Sequence, residues 1–273
     1  MKKLTSLLLL SLLLILAACG GEEGASSASK EKITFGATAG PYSDMVNKAI
    51  KPILEEKGYE VEIVEFSDYV QPNLSLANGS LDANLFQHKI YMEAFAKEHD
   101  LELSEVKIVP TAPMGVYSNK FDSIDAIEKG STMTIANDPT NLARTLLMLE
   151  DAGLVSIKEG IDPLKASEKD IVENPKDIQF KPIEAAQLPR AVDSTDLSAV
   201  PGNYALAAGM DLLDSIVLEE MPDDYRNRVV VNSKDKDAAF VKDIKEAVES
   251  AAFEETIDEE FKGFGKPAWM KKK

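Results

Sequence analysis

The sequence predicts an α/β protein built as two lobes. Short β-prone runs alternate with amphipathic helical stretches along most of the chain, the pattern of strands covered by helices. The first such set reads strand, helix, strand within about 35 residues, a βαβ unit that implies parallel pairing and a right-handed crossover. Too many units follow for one compact sheet, and 273 residues suffice for two modest lobes.

The chain opens on a leader. Lys2 and Lys3 precede residues 4–18, an apolar run broken only by Thr5, Ser6 and Ser11. The run is shorter than the about 20 residues of a spanning helix and fits the apolar part of a secretory signal. It ends Leu16-Ala17-Ala18-Cys19-Gly20, a junction that resembles a bacterial lipobox. That resemblance implies cleavage before Cys19 and acylation of its thiol, palmitate among the chains, since two acyl chains anchor stably where one binds only marginally. The alternative is a buried helix with Cys19 as a small core residue. Residues 1–18 thus read as signal peptide and 19–30 as anchor and tether on the extracytoplasmic face of the cell membrane. The segment GGEEGASSASK, residues 20–30, is too poor in apolar side chains to offset its ordering entropy.

In the body, Ile33-Thr34-Phe35-Gly36-Ala37 is β-prone. Val46, Ala49, Ile50, Ile53 and Leu54 recur at helical offsets and form one apolar stripe. Pro52 should kink or restart that helix, and Gly58 stops it. Residues 61–66 read as a second strand, 72–78 as a short helix, 83–86 as a strand and 88–98 as a helix. A strand over 106–109 runs on through Met114-Gly115-Val116-Tyr117, and 133–136 is another. Asn137-Asp138-Pro139-Thr140 opens a helix carrying Leu142, Leu146, Leu147 and Leu149, which Gly153 ends. Strands over 178–181, 198–200 and 229–231 follow, and helices near 237–249 and 253–262 close the chain. Two continuous β segments, 110–118 and 227–233, are spaced like crossovers. The expected division is 31–112 plus 230–273 for the first lobe and 113–229 for the second. A ligand would sit in the cleft between them, beyond the carboxyl ends of strands.

Charge and composition exclude several functions. Lys and Arg total 30 against 47 Asp and Glu, a formal charge of −17, and loss of the leader's two lysines makes the chain more acidic still. Such a surface repels phosphate backbones, so no nucleic-acid partner is expected. One cysteine and two histidines allow neither a disulfide framework nor a Cys-rich zinc site. His88 and His99 lack metal-ligand spacing. There is no Gly-x-Ser-x-Gly, His-Glu-x-x-His or Gly-x-x-x-x-Gly-Lys-Ser/Thr, and Cys19 is committed to the leader. No catalytic residue, cofactor or metal is therefore expected, and the chain reads as a binding protein.

The longest motifs agree on one family. They are Phe66-Ser67-Asp68-Tyr69-Val70-Gln71-Pro72-Asn73, the run from Leu76 to Phe86-Gln87-His88-Lys89, and Ala112-Pro113-Met114-Gly115-Val116-Tyr117-Ser118. Asn137-Asp138-Pro139-Thr140-Asn141 with Arg144, Glu173-Asn174-Pro175-Lys176, Glu184-Ala185-Ala186-Gln187-Leu188-Pro189-Arg190 and Asn203-Tyr204-Ala205 follow. In this order they resemble the NlpA-type methionine-binding lipoproteins, from about residue 31 to Trp269. The resemblance implies a periplasmic-binding-protein-like fold of type II and a receptor that closes on methionine. It also implies delivery to an ABC permease powered by a cytoplasmic ATPase.

A free amino acid presents a carboxylate, an ammonium and a side chain. Arginine suits a buried carboxylate through its planar fork, and an aromatic wall suits a polarizable thioether. On their own, these residues read more readily as a surface arginine with an acidic neighbour for Arg144, core aromatics for Phe86 and Tyr91, and a structural histidine for His88. The resemblance assigns Arg144 to the ligand carboxylate and Tyr69, Phe86 and Tyr91 to the aromatic wall, with His88 a polar member of it. Asn141, Glu184 and Asn203 are the candidate acceptors for the ammonium. The chain departs from the family at Val200-Pro201-Gly202-Asn203-Tyr204, where Pro201 stands at a usual asparagine and offers no hydrogen-bond donor. This leaves L-methionine, D-methionine, a methionine-containing dipeptide or another apolar amino acid as ligands. A surface adhesion lipoprotein with a vestigial pocket is the reading from a different class.

Overall fold

In a computed structural model, residues 30–271 are described; the leader, Cys19 and the tether up to residue 29 lie outside the described residues. The first sheet has strand order β2-β1-β3-β12-β4, formed by β1 (Lys32–Thr38), β2 (Glu60–Phe66), β3 (Ala83–His88), β4 (Leu103–Ile108) and β12 (Asn227–Asn232). β1 pairs in parallel with β2 and β3, as the βαβ reading requires, while β12 enters antiparallel between β3 and β4. Ile33, Phe35 and Ala37 of β1 are fully buried, so its period-two apolar set faces one core.

That core is covered by the helix the stripe predicts. α1 runs in three consecutive pieces, α-helical Pro41–Met45, π-helical Val46–Ile50 and α-helical Lys51–Glu56. Pro52 has no N–H to offer, and its ring would crowd the carbonyl of Lys48. The helix widens by one residue ahead of it, the Lys51 N–H reaching back to the Val46 carbonyl, and so continues without a break. Met45, Val46, Ile50 and Leu54 then pack with Ile244, Val248 and Phe253 of α7 (Ala239–Glu249) and α8 (Ala251–Glu260). In chain order between these lie α2 (Gln71–Ala77) and α3 (Lys89–Glu98), and, in the second half, α4 (Pro139–Asp151), α5 (Leu188–Ala191) and α6 (Gly202–Ala207).

The second sheet has order β11-β5-β10-β6-β9, from β5 (Gly115–Tyr117), β6 (Thr132–Ala136), β9 (Gln179–Ile183), β10 (Leu197–Val200) and β11 (Val217–Leu218). Its core joins Met133, Ile135 and Leu197 to the α4 face carrying Ala143, Leu146 and Leu149. A small ladder of β7 (Ser156–Ile157) and β8 (Ile171–Glu173) stands apart. Two sheets with separate cores give the expected two-lobed α/β fold.

Two details differ from the sequence reading. The expected run from 106 to 117 is two strands in different sheets, β4 and β5, because residues 109–114 carry the chain from one sheet to the other. The return is residues 219–226, just upstream of the expected 227–233; that later segment is β12, whose Val229, Val230 and Val231 are fully buried in the first sheet.

Candidate functional site

The fold brings most of the candidate side chains to two facing edges. The carboxyl end of β3 and the start of antiparallel β12 meet at one edge, where Asn227 pairs with His88. At the other, β6 and β10 lead into the N-termini of α4 and α6, the position at which α/β sheets hold ligands. Between them lies a cavity of about 20 Å³, room for one or two water molecules at roughly 10–15 Å³ each. Tyr69, Phe86, His88, Tyr91, Asn141, Arg144 and Asn203 all line it. Glu184 does not; it is exposed where β9 ends.

One wall is aromatic. The Tyr69 ring lies 5.8 Å from Phe86, nearly stacked, and 5.9 Å from Tyr91, edge to face. Phe86 and Tyr91 are 6.0 Å apart, and Tyr204 comes within 5.0 Å of Tyr69 from the other side. Such pairs favour this geometry through their quadrupoles. The hydroxyls are committed: Tyr69 donates to Asn203 Oδ1 at 2.7 Å, Tyr91 to the Tyr69 carbonyl at 3.0 Å and Tyr204 to the Ser67 carbonyl at 3.2 Å. Burial pushes all three phenols above their ordinary range, so they stay protonated donors. For Tyr204 the charges of Asp68 and then Glu184 add to that burial effect.

The wall is held from behind by a buried amide cluster. Asn73 of α2 exchanges two hydrogen bonds with Gln87 at 2.7 and 2.6 Å, and Asn84 donates to Asn73 Oδ1 at 2.9 Å. With all three residues buried, these bonds fix β3 where it presents Phe86 and His88.

His88 ends β3 and caps α3. Its Nδ1 accepts the Tyr91 N–H at 3.1 Å, so the ring proton sits on Nε2, which donates to Asn141 Oδ1 at 3.3 Å. Burial, with Arg144 next, holds His88 well below the usual imidazole range, and the ring is neutral at pH 7. Asn141 is tied in turn to Asp138, which caps α4 by accepting its N–H at 2.9 Å. The Asn141 carbonyl, expected to meet an ammonium, is therefore already engaged by His88 and, at 3.5 Å, by Arg144.

Arg144 is buried rather than on the surface. Its Nε and Nη2 donate to the two oxygens of Glu219 at 2.7 and 2.6 Å, a bidentate pair with both side chains 6% exposed. Burial opposes the guanidinium charge, but Glu219 holds its pKa above the ordinary value. The guanidinium also lies 5.5 Å over the Tyr225 ring. Asn203 contributes a second polar group: its Nδ2 is buried and has no hydrogen-bond partner among the described residues. Turning the amide over would offer an acceptor instead and keep the bond to Tyr69.

Sequence reasoning missed Tyr42, Asn227 and Glu219. Tyr42 follows Gly40-Pro41 at the first strand–helix junction, a position that itself marks a cleft residue in this fold class. Asn227 carried no such signal, because only the antiparallel entry of β12 puts its first residue at the cleft edge. Glu219 lay in an acidic stretch with nothing to single it out.

The chain's likeness to known proteins runs over nearly the whole described body. The sequence pattern of the NlpA lipoprotein family matches residues 33–269. The D-methionine-binding lipoprotein MetQ of Salmonella typhi is 36% identical over 249 residues, 90% of this chain and 92% of that one. Its counterpart in Escherichia coli strain K12 is 34% identical over the same shares. The structure of a nutrient binding protein from Burkholderia cenocepacia bound to methionine is 38% identical, with a TM-score of 0.80 over 85% of this chain and 97% of that one. Motifs, fold and these likenesses agree, and the chain belongs to the NlpA lipoprotein family.

Proposed function

We propose that this chain is a lipid-anchored extracytoplasmic receptor that binds methionine, in its L- or D-form, and hands it to an ABC permease driven by a cytoplasmic ATPase. The observation that carries this reading is the pairing of one buried cation with an aromatic wall around one small cavity. Among the described residues, Arg144 is the only charged side chain lining that cavity. Its Nη1 faces the ligand carboxylate, and Tyr69, Phe86 and Tyr91 receive the thioether, each sulfur–ring contact contributing about 0.3–1.5 kcal/mol. Burying the side chain adds about 1.5–3 kcal/mol. The neutral His88 closes the wall without a competing charge, and the Asn203 amide meets the ligand's polar end. Glu184 acts from the rim, through its field.

A cavity of this size admits an amino acid only when its walls part. In this reading the two lobes open about the crossing segments, residues 109–114 and 219–226, and close on the ligand as a hinge. The site binds and releases; it catalyses nothing. Residues 1–18 are removed, and Cys19 carries the lipid.

Thermal unfolding of the purified body with and without amino acids tests the reading. L- or D-methionine at 100 times its dissociation constant stabilises by about 2.7 kcal/mol, while serine and glycine leave the transition where it was. No shift with either methionine enantiomer refutes the methionine ligand.

A further inference from the structure

Glu219 does more than neutralise a buried charge. Its two oxygens take the Nε and Nη2 edge of Arg144, and Oε2 also accepts the Met114 N–H at 3.0 Å. Met114 and Glu219 stand on the two crossing segments, and the Glu219 N–H donates to the Met114 carbonyl at 2.9 Å. The carboxylate thus ties the guanidinium to both strands of the hinge. The remaining nitrogen, Nη1, carries only a 3.5 Å contact to Asn141, which lines the cavity together with Arg144.

We infer that Glu219 is the positioning residue of the binding site: it fixes the Arg144 plane so that Nη1 alone meets the ligand carboxylate, and it links that contact to the hinge. This rests on the receptor reading above. A guanidinium held by two parallel bonds has one rotational setting. Released from them, it can turn toward Asn141 or the Tyr225 face, and that setting is lost. The carboxylate end of the ligand therefore depends on Glu219, although Glu219 does not touch it; the thioether and ammonium ends do not.

The test is calorimetric binding of L-methionine and of methioninol, which lacks the carboxylate, to wild type, Glu219→Gln and Glu219→Asp. Glu219→Gln keeps the shape but loses the charge. Glu219→Asp keeps the charge on a shorter arm and serves if the first variant fails to fold. The expected result is a loss of about tenfold or more for methionine with less than about threefold change for methioninol. Equal losses for both ligands make Glu219 merely structural and overturn the inference, as does an unchanged methionine affinity. A wild-type protein that binds neither ligand refutes the receptor reading itself and the carboxylate role with it. In that case solvent exchange of the Arg144 Nε–H, followed by NMR without ligand, still separates the two. Exchange as slow in Glu219→Gln as in wild type overturns the positioning by Glu219 as well.

Discussion

Tyr69 and Asn203 face one another across the cleft, with the phenol donating to the amide oxygen at 2.7 Å. Tyr69 follows β2 in the first half of the fold, and Asn203 lies in the first turn of α6 beyond the second sheet. That bond joins the two walls, as do those of Tyr204 to Ser67 and His88 to Asn141, and it leaves the Asn203 Nδ2 as the uncommitted end.

Tyr69→Phe removes the donor and keeps the ring. The Asn203 oxygen, buried, then loses its partner, which costs about 1–3 kcal/mol. Urea unfolding of the unliganded variant should show that loss at unchanged m-value. Equal stability of variant and wild type means the bond across the cleft contributes nothing.

Arg144→Ala has two effects that a double variant separates. It removes the cation proposed to meet the ligand carboxylate, and it strands the 6%-exposed Glu219 without its partner. The second effect destabilises by about 3–5 kcal/mol, whereas replacing both members by apolar residues of similar volume is close to neutral. Arg144→Ala is thus expected to lower the melting temperature and abolish the methionine shift. Arg144→Met with Glu219→Leu should recover the melting temperature but not the shift. A double variant that still responds to methionine would remove Arg144 from the site.

These dependences show which parts of the molecule were legible in the sequence. The helix stripe of α1 and the βαβ start were, because period and punctuation are local. The start of α4 was too: Asp138 of the Asn137-Asp138-Pro139-Thr140 motif stands one residue ahead of that helix. What escaped were relations set by topology. A strand read through 106–117 cannot announce that residues 109–114 change sheets, and Asn227 reaches the cleft only because β12 runs against β3. The Arg144–Glu219 pair spans 75 residues, and in a chain with 47 acidic side chains no pattern selects one partner. Arg144 itself stood out as a candidate ligand residue only through the family resemblance.

His88 makes stability fall in mild acid. Its folded pKa is held well below 6.5, by burial first and Arg144 second, so below pH 6.5 the unfolded chain binds a proton that the native ring refuses. The histidine's contribution is intact above pH 6.5 and is lost as pH drops from there toward the folded value, at up to about 1.4 kcal/mol per pH unit. Protonation would also take Nδ1 from the Tyr91 N–H and uncap α3. His88→Asn, which can still cap, should unfold with a flatter pH profile between 6.5 and 4.5. A profile as steep as that of wild type assigns the acid sensitivity to other groups.

Gly202 tests whether the seat of α6 governs binding. A Cβ there would stand 2.3 Å from the Pro113 carbonyl and 2.7 Å from the Ala112 Cβ, on the segment that crosses between sheets. Both neighbours are backbone or backbone-fixed, so Gly202→Ala must push α6 away, at about 1–3 kcal/mol for overpacking. Ala112, Gly202 and Asn203 all line the cavity, so the displacement moves the Asn203 amide as well. Gly130→Ala is the control: its φ of +84° makes a side chain costly, by about 1–2 kcal/mol, but nothing lies within 4 Å of the new methyl. Both variants are expected to melt earlier, and only Gly202→Ala to bind methionine more weakly, by about tenfold. Equal affinities in the two would show that the seat of α6 matters to folding alone.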